Sequence, residues 1–173
     1  LGSRKFNAEM IEKYDLLPMI YREQYPKIYR QKYDTTNNRW NDDFKAPNLL
    51  STGDMLLSRF LKKEVGKNGT MIVKIESIDS TFCDTLMNKY LLFLNEFIQY
   101  SVKKEADDNL KYLENRLEVT SDPLLREKLQ GMIANEVEKA MLVSTEAFKI
   151  IDPPLRTYNF KAKKFYPLVC SAG

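Results

Sequence analysis

The stretch STFCDTLMNKYLLFLNEFIQYSVKKEADDNLKYLENRLEV, residues 80–119, contains neither glycine nor proline. Uninterrupted helix-forming sequence of about 40 residues predicts one rod of roughly 60 Å, because an α-helix rises about 1.5 Å per residue. Apolar residues recur along it at helical spacing, at Phe82, Leu86, Tyr90, Phe93, Phe97, Val102, Ala106, Leu110, Leu113 and Leu117. We therefore expect this helix to organise the fold.

The two halves of the predicted helix differ in where their apolar residues point. Over residues 90–100 apolar and aromatic side chains point nearly all round the axis, which predicts a foot buried on several sides through Tyr90, Phe93 and Phe97. Beyond Val102 the stripe narrows, as is typical of a helix with one partner helix. The other face of this projecting arm is charged. Its candidate oligomer or partner interface consists of Lys103, Lys104, Asp107, Asp108, Lys111 and Glu114.

Composition narrows the function classes. The chain has 173 residues, of which 43% are hydrophobic, enough for one domain with a sizeable core. Its 27 basic and 24 acidic side chains give a net charge of +3, too small an excess to favour nucleic acid as a partner. Histidine, the commonest general base, is absent. We find no nucleophile–base pattern or phosphate-binding loop, so we expect no enzyme, no catalytic residues, no cofactor and no metal site.

The first 47 residues predict one regular helix followed by less regular chain. Apolar spacing over residues 3–17 predicts a helix that Pro18 ends. Residues 20–47 predict an irregular, partly exposed segment anchored by tyrosines and Trp40. Within that segment a short helix over residues 23–33 is an alternative.

The next segment predicts a helix and a strand. Thr52 is expected to cap a helix over residues 52–65 that stops at Gly66. The inward side chains of this helix are expected to be Met55, Leu56, Phe60 and Leu61. Alternating apolar and polar residues over 70–78, after an Asn-Gly turn, predict a strand with one buried face.

A return helix should follow the long helix. Asp122 as N-cap and Pro123 at the first helical position predict its start. Its apolar stripe is expected to face the arm through Leu125, Leu129, Met132, Ile133, Val137, Ala140 and Met141. About 22 residues span only about 33 Å. Either extended residues near 144–147 complete the descent, or the long helix bends near residues 103–105.

The C-terminal part predicts a strand and then a membrane-like edge. Residues 148–152 predict a second short strand, which we expect to pair with the strand over 70–78. A basic segment, 156–164, precedes an aromatic and apolar segment, 165–173, which is expected to begin a membrane span; an ordinary apolar tail is the alternative. The candidate membrane-proximal residues are Asp152, Pro153, Pro154, Lys163, Lys164, Phe165 and Tyr166.

Several side-chain groups allow a binding role and a plainer alternative. Adjacent acids at 42–43 and 107–108 have the chemistry of a cation site, but such pairs are usually only solvated. The lysines at 103–104 are expected to be solvated, whereas for those at 163–164 contact with lipid headgroups and a solvated surface are equal alternatives. Tyrosines at four-residue steps could stack on sugars, although this spacing is more typical of core or interface; they are Tyr21, Tyr25, Tyr29 and Tyr33.

The order of these segments resembles a known family. SRKFNAEMIEKYDLLP at 3–18 is followed by the strand and long helix at 70–117 and by DPLLREKL at 122–129. EKAML at 138–142 and AFKIIDPP at 147–154 complete the order, and the last is the most specific. Over nearly its whole length, the chain resembles the bacterial polysaccharide chain-length determinants, the Wzz-type polysaccharide co-polymerases.

The resemblance implies an α+β fold, with a small membrane-proximal α/β base (about residues 1–100 and 145–165) and a helical arm (about 101–144) in one periplasmic domain. It implies a bacterial inner-membrane protein with a membrane span on each side of this domain. Copies would form a homo-oligomeric ring and act with the polysaccharide polymerase and its growing glycan to set chain length. The basic residues before Phe165 depart from the positive-inside tendency. The alternative is a soluble helical scaffold or adaptor that binds a protein partner through the same hairpin.

Overall fold

The computed structural model describes residues 4–66, 70–143, 147–151 and 153–156. The helices are α1 (Arg4–Lys13), α2 (Leu17–Gln24), α3 (Pro26–Lys32), α4 (Leu49–Arg59), α5 (Ser80–Val119) and α6 (Pro123–Val143). The strands are β1 (Tyr33–Asp34), β2 (Arg39–Trp40), β3 (Leu61–Val65) and β4 (Met71–Ile75). Strand β1 pairs antiparallel with β2, and β3 pairs antiparallel with β4. The fold is α+β, with long helices and two small sheets.

The predicted long helix and return helix are confirmed. Helix α5 runs for 40 residues, and the Asp79 carboxylate at its N-cap accepts hydrogen bonds from the amides of Thr81 and Phe82. Helix α6 begins at Pro123, and the Asp122 carboxylate accepts hydrogen bonds from the amides of Leu124 and Leu125. Both caps satisfy amides that a helix leaves without partners in its first turn. The two helices pack against each other as a hairpin.

The core lies where the first half of α5 meets the short elements. Tyr90 and Phe93 are buried, as predicted for the foot, and Phe97 packs against them while keeping part of its surface exposed. Phe6 of α1 contacts these rings edge-on, with centroid separations of 5.7, 4.9 and 5.1 Å to Tyr90, Phe93 and Phe97. The buried core comprises Phe6, Met10, Ile11, Leu16, Leu17, Ile20, Leu56, Phe60, Leu61, Phe82, Leu86, Tyr90, Phe93 and Leu94.

The prediction for the first 47 residues is wrong in detail. Helix α1 ends at Lys13, and Pro18 lies in the first turn of α2 instead of ending a helix. Proline is well tolerated there because the first-turn amides have no intrahelical partner. Helix α3 confirms the alternative of a short helix within residues 23–33, whereas α2 and the β1–β2 hairpin replace most of the irregular segment that we expected.

The helix predicted over residues 52–65 is also wrong at both ends. Asn48 caps α4, and its side chain accepts hydrogen bonds from the amides of Leu50 and Ser51. Thr52 instead lies buried inside the helix. Residues 61–65 form β3, because they pair with β4 across a hairpin that the Gly66 amide and the Thr70 carbonyl close at 2.8 Å. The predicted alternation on β4 is confirmed, with Met71, Val73 and Ile75 on the more buried face.

The predicted return strand over residues 148–152 is not formed in the described residues 147–151; Asp152 lies outside them. Strand β4 pairs with β3 instead. Phe148 nevertheless packs against the core, and the Ala147 amide donates a hydrogen bond to Asn95 Oδ1 at 3.1 Å. The chain after α6 therefore returns to the foot of α5 without forming a strand there.

Candidate interaction surfaces

The hairpin seam is narrow. Ala106 and Leu113 of α5 are buried, whereas the facing residues of α6, among them Leu129, Ile133 and Ala140, are half-buried. No residue of α6 is fully buried. Two packed helices bury one stripe of residues on each helix. The α6 residues in this seam are therefore only part of the stripe that was predicted to face the arm.

Polar contacts fix the register of the hairpin. Lys139 Nζ lies 3.0 Å from Glu105 Oε1, and this hydrogen bond raises the pKa of Lys139. Near the tip, the Arg126 guanidinium donates to the carbonyl oxygens of Leu117 and Thr120, both at 2.9 Å. These contacts join the two helices at both ends of the arm.

Helix α6 carries apolar side chains that the seam does not cover. Leu125, Met132, Val137 and Met141 were predicted to face the arm, but they are exposed, and Met141 keeps 67% of its surface. At about 100° of rotation per residue, Leu125 and Met132 lie on one side of the seam and Val137 and Met141 on the other. We name these residues, together with Leu124 and Leu142, which are also exposed, the α6 apolar surface.

The charged candidate interface lies on a different side of the arm. All six of its residues, Lys103, Lys104, Asp107, Asp108, Lys111 and Glu114, are exposed. At about 100° of rotation per residue, Lys104, Asp108 and Lys111 lie roughly opposite the seam residues of α5, whereas Lys103, Asp107 and Glu114 lie on one flank of the arm. Within the described chain none of the six forms an ion pair. Lys104 and Asp108 line a shallow, open groove of about 440 Å³ beside Phe97 and Tyr100.

The four spaced tyrosines and Trp40, which were expected to anchor residues 20–47, pack together with Phe44 in one aromatic cluster. The β1–β2 hairpin places Trp40 opposite Tyr33, and Phe44 packs beside Trp40 with ring centroids 5.5 Å apart. The sequence pattern alone does not show that these rings meet, because their contact depends on the turn between the two strands. We name the group the Trp40 cluster; it consists of Tyr21, Tyr25, Tyr29, Tyr33, Trp40 and Phe44.

Two of the predicted membrane-proximal residues lie in the described chain. Pro153 and Pro154 are exposed. Asp152, Lys163, Lys164, Phe165 and Tyr166 lie outside the described residues. The Arg156 side chain binds the Asp84 carboxylate, which places residue 156 beside the N-terminal part of α5. Among the described helices, none is both long and apolar enough to cross a bilayer.

The acidic pairs do not assemble a cation site in the described parts of the chain. Asp43 Oδ2 instead accepts a hydrogen bond from Lys32 Nζ at 3.2 Å. Asp42, Asp107 and Asp108 are exposed. In residues 4–66, 70–143, 147–151 and 153–156, no three acidic, cysteine or histidine side chains converge as a metal site would need.

Comparison with family models, with curated proteins and with solved structures gives no match to this chain. The link to the chain-length determinants is therefore a resemblance of the sequence.

Proposed function

We propose that this chain is a non-enzymatic regulator of bacterial surface polysaccharide length, for O-antigen, capsule or a related glycan. It acts as a homo-oligomer with the polysaccharide polymerase. The observation that carries the proposal is the α6 apolar surface, which lies on both sides of the hairpin seam. The glycan and the polymerase are inferred from the resemblance to the Wzz-type co-polymerases.

Apolar side chains on both sides of an arm favour two neighbours in place of one. A head-to-tail contact between unlike patches repeats until the rotation closes a ring, whereas a self-complementary patch stops at a dimer. Large exposed apolar side chains gathered on one element are typical of interaction surfaces. The arms of such a ring would stand side by side, each covering one flank of the next.

The proposed orientation puts the base near the membrane and the arm away from it. The ion pair between Arg156 and Asp84 positions residue 156 beside the base and away from the hairpin tip. Residues 163–166, the predicted membrane edge, follow within about ten residues. The location proposed is the inner membrane, with this domain in the periplasm. Glycan length would then depend on how the ring holds the polymerase or the growing chain.

A deletion experiment tests the function directly. The encoding gene is deleted, the polysaccharide ladder is separated on a gel, and the gene is then restored. We expect the modal cluster of lengths to collapse to a random distribution and to return on complementation. An unchanged ladder would contradict chain-length control.

The adaptor alternative uses the same α6 apolar surface for a helix of another protein. Leu125 and Met132 on one side, and Val137 and Met141 on the other, lie one or two turns apart, which suits an added helix as well as a second copy. Self-association distinguishes the adaptor from the chain-length regulator. An adaptor is expected to remain monomeric in cells until its partner is present, whereas the regulator is expected to be oligomeric without one.

A further inference from the structure

We propose that the Trp40 cluster is a carbohydrate-binding surface on which pyranose rings stack. The inference deepens the proposed function and rests on it only for the identity of the ligand as a surface polysaccharide. Electron-rich aromatic faces attract the polarised C–H bonds on the apolar face of a sugar ring, and their polar edges remain available to hydroxyl groups.

The rings of the cluster hold one another in place. Trp40 has ring centroids of Tyr21, Tyr33 and Tyr29 at 5.5, 5.1 and 6.5 Å, all close to perpendicular. Phe44 adds a fourth contact, tilted by 39°. A ring that is already ordered loses little conformational entropy when a ligand stacks on the group.

One part of the cluster forms a platform that faces solvent. Tyr29 and Tyr33 are stacked, with centroids 4.9 Å apart and planes only 20° from parallel. Tyr33 is buried, whereas Tyr29 is half-buried. Tyr33 therefore covers one face of Tyr29, and the part of Tyr29 that stays exposed is open to a ligand. Tyr25, which is 38% exposed, lies at the edge of the cluster beside Tyr21.

Polar groups border the rings. Lys32 Nζ lies 5.9 Å from the Phe44 centroid and pairs with Asp43, so a donor and an acceptor stand together at the rim. The β1–β2 turn adds the hydroxyl of Thr35 and the amide of Asn38, both exposed. A ligand rich in hydroxyl groups can hydrogen-bond to these groups, whereas an apolar helix offers them no hydrogen bond.

The mixture of charges also argues against a lipid surface. Between residues 22 and 45 the cluster is flanked by both signs: the bases Arg22, Lys27, Arg30, Lys32, Arg39 and Lys45, and the acids Glu23, Asp34, Asp42 and Asp43. Adsorption to an anionic membrane favours a predominantly basic surface. The combination of flat rings and mixed polar groups fits a glycan better than a bilayer.

Trp40 is the only tryptophan in the chain, so its fluorescence reports on the cluster directly. The 173-residue chain is titrated with maltoheptaose and with hexagalacturonate, a neutral and an acidic pyranose oligomer. Sorbitol, a polyol without a ring face, is the control ligand. We expect at least one oligomer to change the emission saturably, with a Kd on the order of 1 mM.

Matched variants test the platform. Tyr25→Leu and Tyr29→Leu keep apolar bulk but remove the aromatic face, and we expect about tenfold weaker binding. Tyr25→Phe keeps the face and should bind as the parent chain does. Tyr100→Leu removes an exposed tyrosine on α5, outside the cluster, and should also leave binding unchanged. Circular dichroism and the unfolding midpoint check that each variant is folded.

Three results would overturn the inference. They are no emission change with either oligomer up to about 10 mM, an equal change with sorbitol, or a change only with phosphatidylglycerol–phosphatidylethanolamine vesicles. The ladder experiment separates this failure from that of the proposed function. If gene deletion alters the ladder while neither oligomer binds, the carbohydrate surface fails alone. If an oligomer binds while deletion leaves the ladder unchanged, the chain-length function fails alone.

Discussion

Lys63 places an amine inside an aromatic core. It extends inward from β3, and its Nζ lies 5.1 Å from the Tyr90 ring centroid and 5.7 Å from that of Phe6. Within the described residues, neither Lys63 Nζ nor the buried Tyr90 hydroxyl has a hydrogen-bond partner. The ring faces attract the ammonium, but burial lowers the pKa of Lys63. Burial also raises the pKa of Tyr90 to about 12.

The lowered pKa of Lys63 predicts a stability gain at alkaline pH. Between its folded-state pKa and the ordinary value of 10.5, the unfolded chain binds more protons than the folded chain. The free energy of unfolding therefore rises with pH across that window and is lowest, for this group, below it. Lys63→Met removes the titrating group, so we expect a flatter dependence.

Urea unfolding at a series of pH values from neutral to about 10.5 measures this dependence. Lys62→Met, a change at the exposed neighbour on β3, is the control and should keep the parent slope. An unchanged slope in Lys63→Met would show that the amine does not titrate inside the core.

The Tyr90 hydroxyl supports a second prediction. A buried hydroxyl without a hydrogen bond costs folding free energy, so Tyr90→Phe should raise the free energy of unfolding by about 1 kcal/mol. Tyr90→Ala should instead lower it by about 3–5 kcal/mol, because the ring fills the core. Chemical denaturation of both variants tests the pair. A Tyr90→Phe variant less stable than the parent chain would mean that the hydroxyl has a stabilising partner.

Among the elements, α6 had a start signal that was recognised correctly from the sequence, and this cap can be tested. Asp122→Ala removes the carboxylate that accepts from the amides of Leu124 and Leu125, which should cost about 1 kcal/mol. Hydrogen exchange of these two amides should accelerate. Asp107→Ala, at an exposed site within α5, is the control. Equal exchange in both variants would contradict the role of the cap.

Local signals explain which elements the sequence predicted. Helices α5 and α6 have a sustained period, an aspartate cap and, for α6, a first-turn proline. Strand β3 has none of these. Its sequence LKKEV is compatible with a helix, and it becomes a strand only by pairing with β4. The same limitation applies to the return strand: the apolar run near Phe148 suits a strand, but nothing local to it shows whether it pairs with β4, and Phe148 packs against the core without doing so.

The candidate surfaces were predictable to a smaller extent. A helical period shows that α6 is apolar, but it does not show how much of that surface one partner helix can cover. Exposure of Met132 and Met141 therefore required the structure. The Trp40 cluster also depends on chain reversal, since the turn brings together residues from β1 and β2. The charged residues of α5, by contrast, were correctly placed at the surface from sequence alone.

The base of the molecule is stabilised by more buried surface than the helical arm is. The base has a continuous aromatic and aliphatic core, whereas α6 buries no residue fully. Segments with few buried apolar contacts open at lower free-energy cost than the core does. A neighbouring arm that covers the α6 apolar surface would stabilise the hairpin and assemble the ring at once. Assembly and arm stability are therefore expected to change together.

Self-association tests this coupling. Val137→Glu with Met141→Glu places two charges on one side of the α6 seam, where a neighbouring arm would have to desolvate them. We expect this double variant to lose most of the oligomer detected by lysine crosslinking in cells, and the polysaccharide ladder to lose its modal cluster.

The matched control exchanges two charges on α5, Lys104→Glu with Asp108→Lys, which keeps the net charge and leaves α6 intact. If the control dissociates the oligomer and the α6 variant does not, the charged face of the arm is the interface. If both variants remain assembled, neither the Val137–Met141 side of α6 nor the charged face of α5 is needed for self-association, and the proposed arm-to-arm contact is wrong.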